Sequence, residues 1–195
     1  PTISIATSST AVCAGSTSTF TANSNGGGNA PVYQWKINGN NVGTNANVFS
    51  SATLNDGDVV TCELTSSLNC VTASDATSNS ITMTVSPTVS TAVTITSSAG
   101  STICSGTSVD FTAVPTNGGT PVYQWTLNGS AVGTNNSTYS TSTLNNGDIV
   151  TCNMTSSLTC PVPAVANSNS ITMTVNNGAA PTASIVADQG STICE

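Results

Sequence analysis

The chain has 195 residues, of which 37% are hydrophobic and only 5% are charged, with one Lys or Arg against eight Asp or Glu. Disordered segments combine low hydrophobicity with high charge, so this composition indicates a folded protein. Nucleic acid is excluded as a partner, because phosphate binding needs clustered basic side chains and Lys36 stands alone. No apolar run approaches the roughly 20 residues that span a bilayer, so the chain is not expected to cross a membrane.

Catalytic machinery is missing from the sequence. There is no His, which excludes Ser-His-Asp and Cys-His mechanisms. The acidic residues are scattered and do not recur as pairs. Asp56-Gly57-Asp58 carries oxygen ligands of the kind Ca²⁺ prefers, but an ordinary glycine turn explains it as well. We therefore predict no enzyme, no cofactor and no metal site.

The sequence contains an internal repeat. Three segments recur at an offset of 90 residues: PVYQW at Pro31 and Pro121, VVTCELTSSLNC and IVTCNMTSSLTC ending at Cys70 and Cys160, and SNSITMTV from Ser78 and Ser168. A further series, Cys13, Cys104 and Cys194, is spaced by 91 and then 90 residues. These offsets predict repeat 1 at residues 1–86, repeat 2 at 92–175, and the first strand of a third repeat at 181–195.

Within repeat 2, hydrophobic residues alternate with polar ones in short segments, which is typical of strands with one buried face. In chain order these segments contain Val93 and Ile95, Val109 to Ala113, Tyr123 to Leu127, Tyr139 to Leu144, Val150 to Met154, and Ile171 to Val175. Asn-Gly pairs mark turns between them. The pattern predicts an all-β protein of tandem immunoglobulin-like β-sandwiches, with about seven strands each.

The immunoglobulin assignment depends on three positions. Ala113, Trp125 and Cys152 have nearly the spacing of the first cysteine, the strand-C tryptophan and the second cysteine of an immunoglobulin domain. Repeat 1 has the same series in Ala22, Trp35 and Cys62. Because Ala replaces one cysteine, the usual disulfide between the sheets is lost. We expect the Phe of the second strand, Phe20 or Phe111, to close the core against the Trp instead.

Seven cysteines in a chain with so little charge indicate an oxidising compartment. Across a tight hairpin between strands F and G, Leu64 would lie opposite Leu68 and Cys62 opposite Cys70, at a separation that suits a disulfide. The preferred prediction is therefore one disulfide in each repeat, Cys62–Cys70 and Cys152–Cys160. The remaining cysteines, Cys13, Cys104 and Cys194, are predicted to be free thiols or to form bonds between units, with Cys13–Cys160 as the main alternative.

The motifs as a set carry a resemblance. ICSGTSVDFTA, GGTPVYQWTLNGSAVGTN, STLNNGDIVTC and SNSITMTV resemble the Ig-like or PKD-like repeats of large secreted Bacteroidetes surface adhesins and gliding-associated proteins, which are often exported by the type IX secretion system. The resemblance covers both repeats and the start of the third. It implies an extracellular, cell-surface location and supplies no catalytic residues.

Two functions agree with these expectations. The first is a non-catalytic repeat segment of an extracellular adhesin or stalk; the second is a structural subunit of an extracellular filament or sheath, assembled by strand exchange or inter-unit disulfides. Expected partners are neighbouring repeats of the same protein, and surface glycans or other copies of the chain. The chain starts at Pro1 without Met or a signal peptide and stops after Glu195, so we expect a segment of a longer mature protein.

Overall fold

A computed structural model describes residues 1–178 and 182–184. These residues form two compact units: unit 1 comprises Pro1–Thr91 together with Ser157–Ala164, and unit 2 comprises Ala92–Ser156 and resumes at Val165. No helix occurs in the described ranges, and so none there is long and apolar enough to cross a membrane. The predicted third repeat lies outside the described residues, apart from 182–184.

Unit 1 is built from short strands joined by tight turns. These are β1 (Thr2–Thr7), β2 (Ala11–Cys13), β3 (Ser18–Asn25), β4 (Val32–Ile37), β5 (Asn40–Val42), β6 (Val48–Ser51), β7 (Val59–Thr65), β8 (Asp75–Thr77), β9 (Ile81–Thr82), β10 (Thr84–Ser86), β11 (Val89–Ser90) and β19 (Pro161–Val162). One sheet has the order β1-β3-β6, and the other β5-β4-β7-β8 with β9 also paired to β7. β2 pairs in parallel with β10 in a separate two-stranded sheet.

Unit 2 repeats this arrangement. Its strands are β12 (Ala92–Ser97), β13 (Thr102–Cys104), β14 (Val109–Thr116), β15 (Val122–Leu127), β16 (Ser130–Val132), β17 (Thr138–Thr141), β18 (Ile149–Thr155), β20 (Val165–Asn167), β21 (Ile171–Thr172) and β22 (Thr174–Asn176). The sheets are β12-β14-β17 and β16-β15-β18-β20, and β13 pairs in parallel with β22. If interrupted strands are counted once, each unit has about seven strands, which confirms the all-β, immunoglobulin-like sandwich.

Alternation along single strands decides which face is buried. In β14, Val109, Phe111 and Ala113 are buried while Asp110 and Thr112 between them are exposed. Side chains at every second position point to one face of a strand, so this strand covers the core with three apolar groups. β3 buries every second residue in the same way in unit 1, with the polar Ser18 and the apolar Phe20 and Ala22.

The core of each unit closes around a tryptophan. Trp35 is fully buried, with its ring centroid 6.3 Å from that of Phe20 and 5.6 Å from that of Phe49. Its indole N–H donates to the carbonyl of Ala46 at 2.8 Å, so the polar atom is paired. In unit 2, the corresponding separation of Phe111 and Trp125 is 6.5 Å. The predicted packing of Phe against Trp in place of a cross-sheet disulfide is confirmed.

The identical SNSITMTV segments have a structural role. In unit 1 the side-chain oxygen of Asn79 accepts the Ile5 N–H at 2.8 Å, and its amide donates to the Ile5 carbonyl at 3.1 Å. Asn169 makes the same two bonds to Ile95 with the same lengths. The Asn side chain thus acts as a short strand partner for the first strand of each unit.

Candidate functional site

Hydrogen bonds on both sides hold Cys13 in the turn that precedes β3. Cys13 ends β2, and the N–H of Ala14 donates to the carbonyl of Ser86 in β10 at 2.9 Å. The N–H of Ser16 donates a hydrogen bond to the Cys13 carbonyl at 3.0 Å. Gly15 has a φ of 80°, a conformation that side chains disfavour. The main chain around this cysteine is therefore defined by the turn.

A segment of repeat 2 folds as part of unit 1. Residues 157–164, which follow β18, belong to unit 1 and contribute β19, which pairs in parallel with β11. The N–H of Val89 donates to the Cys160 carbonyl at 2.9 Å, and that of Thr91 to the Val162 carbonyl at 3.2 Å. Repeat 1 therefore receives two residues of strand from the repeat that follows it in sequence.

A disulfide joins this segment to the turn. Cys13 and Cys160 are bonded with their Cα atoms 5.5 Å apart, although 147 positions separate them in sequence. Cys160 is 7% exposed, and the hydroxyl of Thr91 donates to the carbonyl of Pro163 nearby. This pairing is the alternative that the sequence left open. We call the disulfide together with the β11–β19 pair the joint.

The preferred sequence-based pairs, Cys62–Cys70 and Cys152–Cys160, are not formed. That prediction assumed a tight hairpin with Leu64 opposite Leu68. The register instead places Ala76 opposite Leu64, so residues 66–74 form a loop. The N–H of Cys62 donates to the hydroxyl of Ser78 at 2.9 Å, and the residue opposite Cys62 on the neighbouring strand is Trp35.

Unit 2 departs from the prediction for the same reason. Ala166 lies opposite Met154, and the N–H of Cys152 donates to the Ser168 hydroxyl at 2.9 Å. Cys152 faces the core, whereas Cys160 lies in the segment that belongs to unit 1.

Two of the cysteines are buried free thiols. Cys62 and Cys152 are both fully buried, opposite the tryptophans Trp35 and Trp125 in the register. Burial disfavours the charged thiolate and raises the pKa of each thiol to about 11. Because the thiolate is the nucleophile, these cysteines behave as apolar side chains of the core.

Two further cysteines are exposed free thiols, Cys70 and Cys104. Cys104 ends β13 and occupies in unit 2 the position of Cys13 in unit 1. Cys70 lies in the loop after β7 and corresponds to Cys160. Cys194, the third member of the Cys13 series, is outside the described residues.

The carboxylates of Asp56 and Asp58 accept hydrogen bonds from their own turn and from two other segments of unit 1. Asp58 accepts the Asn55 N–H at 2.8 Å and the Asn38 amide at 2.7 Å. Hydrogen bonds from the Asn55 backbone and the Asn38 side chain hold the pKa of Asp58 below its usual value. Asp56 accepts the Val85 N–H at 2.9 Å. In the described part of the chain, no cluster of three metal-ligating side chains occurs.

Sequence reasoning missed β11 and β19, the backbone half of the joint. The loops that contain Cys70 and Cys160 are nearly identical up to the cysteine and then diverge. Pro161 and Pro163 follow Cys160, whereas Val71 and Ala73 occupy these places after Cys70. Of these two loops, the loop with Pro161 and Pro163 adds a strand to the other repeat, although nothing in its sequence identifies the strand that it joins.

No protein-family model matches the sequence, and no curated protein matches it. Similar solved structures include murine CEACAM1b, with 15% identity over 89% of this chain and 100% of that chain at a TM-score of 0.42. Others are the Clostridium thermocellum CbhA fibronectin(III)-like modules (13% identity, 89% and 93% covered, TM-score 0.42) and three N-terminal domains of the bacteriophage RB49 Highly Immunogenic Outer Capsid protein (14% identity, 89% and 59% covered, TM-score 0.38). By its own sheets and cores the chain is a tandem immunoglobulin-like β-protein.

Proposed function

We propose that the chain is a non-catalytic repeat segment of an extracellular cell-surface adhesin or stalk, in which a covalent joint carries tension between consecutive repeats. The observation that carries this proposal is the Cys13–Cys160 disulfide, which connects the two sequence repeats through unit 1. Disulfides persist in oxidising compartments, which supports an extracellular location.

The joint suits a load-bearing role. Force applied to the two ends of the chain is transmitted from Cys13 to Cys160 through the disulfide. The residues between these two cysteines therefore bear no load. Those residues include the aromatic cores of both units, with Trp35 and Trp125. The covalent bond therefore prevents tension from extending either core fully.

Single-molecule extension tests this mechanical role. With 147 positions between the bonded cysteines, the oxidised chain should release about 500 Å less length than the Cys13→Ser variant, at roughly 3.4 Å per residue. Cys104→Ser is the matched control and should extend like the parent protein. Equal extension of the oxidised parent and Cys13→Ser would contradict a load-bearing joint.

The surface location needs a separate test on the source cells. An antibody raised against the chain should label intact cells, and external protease should remove the signal. Labelling that requires permeabilised cells would contradict a cell-surface adhesin or stalk.

A further inference from the structure

The surroundings of Cys104 repeat those of Cys13. β13 pairs in parallel with β22, and the N–H of Ser105 donates to the Asn176 carbonyl at 3.0 Å. The N–H of Thr107 donates a hydrogen bond to the Cys104 carbonyl at 3.2 Å, and Gly106 has the same φ of 80° as Gly15. The turn that presents a bonded cysteine in unit 1 therefore presents a free, exposed thiol in unit 2.

The complementary half of the joint is also free, in the other unit. Cys70 precedes Cys160 by 90 residues and follows the same residues, Ser-Ser-Leu and one polar side chain. It is exposed and unbonded. The residues after it, Val71 and Thr72, form no strand, in contrast to β19. Among the described residues, the loop of unit 1 and the turn of unit 2 thus each present an unbonded, exposed cysteine.

We propose that Cys104 forms a disulfide with the cysteine at the Cys70 position of another repeat, so that copies of this 195-residue chain join head to tail through Cys104 of one copy and Cys70 of the next, by the chemistry of the Cys13–Cys160 joint. The bonded pair within this chain is an independent observation that cysteines at these two repeat positions are partners. This inference deepens the proposed function, because it extends the covalent joint from one chain to an assembly.

The two thiols differ in their surroundings, so the contact is heterologous: the turn of one copy meets the loop of the next. Heterologous contacts leave one unused partner at each end and generate open filaments, or rings if the rotation closes. An assembly of this kind agrees with the filament or sheath considered from the sequence.

The oxidation requires an acceptor for two electrons. A low-molecular-weight disulfide such as oxidised glutathione supplies it by two exchange steps. First the Cys104 thiolate attacks the oxidant, forms a mixed disulfide and releases one glutathione thiol. The Cys70 thiolate of the second copy then attacks the Cys104 sulfur, and the second glutathione thiol leaves. Two protein thiols are oxidised and one oxidant molecule is reduced to two thiols.

The test uses the full chain with Cys194→Ser, incubated with oxidised glutathione and analysed by non-reducing electrophoresis and peptide mapping. The parent should give a ladder or a closed ring that links Cys70 to Cys104. Cys70→Ser alone and Cys104→Ser alone should remain monomers with Cys13–Cys160 intact. An equimolar mixture of these two variants should form a dimer and stop there, because each copy brings one of the two thiols.

Several outcomes would overturn the inference. Dimers of Cys70→Ser alone would mean that Cys104 pairs with itself, and glutathione adducts without interchain bonds would mean that the two thiols are not partners. A bond between Cys70 and Cys104 of the same chain would also overturn the inference. If the ladder fails while the oxidised monomer still shows the shortened extension, the proposed stalk function survives and only the assembly is lost.

Discussion

Cys62 and Cys152 occupy the second disulfide position of an immunoglobulin-like sandwich, yet both remain reduced. The opposite sheet contributes Ala22 and Ala113 at the corresponding places, and both are buried. Stacked rings replace the missing bond: Phe20 and Phe49 lie with centroids 6.1 Å apart beside the tryptophan. An aromatic cluster of this kind needs no oxidant, so the core of each unit can form before any cysteine is oxidised.

The two classes of free cysteine should differ in reactivity. At pH 8 a thiol with a pKa of about 11 is almost entirely protonated, so Cys62 and Cys152 should resist iodoacetamide in the native protein. Cys70 and Cys104 are exposed and should react. Mass spectrometry of the labelled Cys194→Ser protein would count the cysteines that have reacted, and two are expected.

Denaturation provides the control, because Cys62 and Cys152 should then be labelled as fast as the exposed pair. Native labelling of Cys62 at the rate of Cys70 would show that the core opens or that the burial assigned to it is wrong.

At the scale of elements, a hydrogen bond between the side chains of Asn38 and Asp58 holds the turn between β6 and β7 in place. Asn38 has a φ of 51° and accepts the Val59 N–H at 2.9 Å while donating to Asp58. Unit 2 repeats these contacts with Asn128 and Asp148, at 2.8 Å. Both units use this Asn–Asp hydrogen bond. This explains why the second Asp of Asp56-Gly57-Asp58 recurs as Asp148, whereas the position of Asp56 is taken by Asn146.

Removing this carboxylate should weaken the unit that contains it. Asp58→Ala leaves the Asn55 N–H and the Asn38 amide without their acceptor. Both donors belong to exposed residues that water can reach, so the expected cost is about 0.5–1.5 kcal/mol in the free energy of unfolding, the net value of a hydrogen bond. Urea denaturation measures the loss. A double-mutant cycle with Asn38→Ala is the control, and strictly additive effects would show that the two side chains do not interact.

The same carboxylate predicts a pH dependence. The folded-state pKa of Asp58 lies below the unfolded value of 3.8, so its stabilisation is present above pH 3.8 and is lost as the pH falls through the folded pKa. Asp58→Asn should lose less stability than the parent between pH 4 and pH 2. Parallel losses in urea denaturation over this range would contradict a charged role for Asp58.

Strands and loops were not equally predictable from the sequence. The buried faces at Val109, Phe111 and Ala113 follow from alternation, because the side-chain period of a strand is fixed. The loop after β7 has no such rule. Leu64 at the end of β7 and Leu68 in the loop predict a hairpin register, whereas the structure places Ala76 opposite Leu64. Local pattern specifies which face is buried and leaves the partner of a long loop undetermined.

At the scale of the whole molecule, the repeat boundary in the sequence and the boundary of the folded units do not coincide. Repeat 2 contains residues 157–164, which belong to unit 1, so one repeat contributes to the completion of another. Periodicity alone cannot reveal this, because Cys70 and Cys160 occupy equivalent sequence positions, yet Cys160 is bonded to Cys13 and Cys70 is a free thiol.

The joint should contribute substantially to stability. A bond that closes a loop of 147 positions restricts the unfolded chain strongly, and losing a native disulfide of this kind costs about 2–5 kcal/mol. Cys13→Ser should therefore lower the urea midpoint of unit 1, and Cys160→Ser should do so equally. Amide hydrogen exchange of β3 and β7 would assign the change to that unit.

Cys104→Ser is the matched control, since it alters the equivalent turn without breaking a bond within the chain. A loss of stability as large as that of Cys13→Ser would show that the turn, and not the disulfide, determines the effect.

The separation of Cys13 from Cys160 also sets an order of events during synthesis. At about 5–20 residues per second, the partner of Cys13 is made roughly 7–30 s after it, and Cys62, Cys70, Cys104 and Cys152 are all made in between. Oxidation in order of appearance would therefore give the wrong bond. The native pairing requires that oxidation wait until residue 164 is available, or that an early bond be reshuffled.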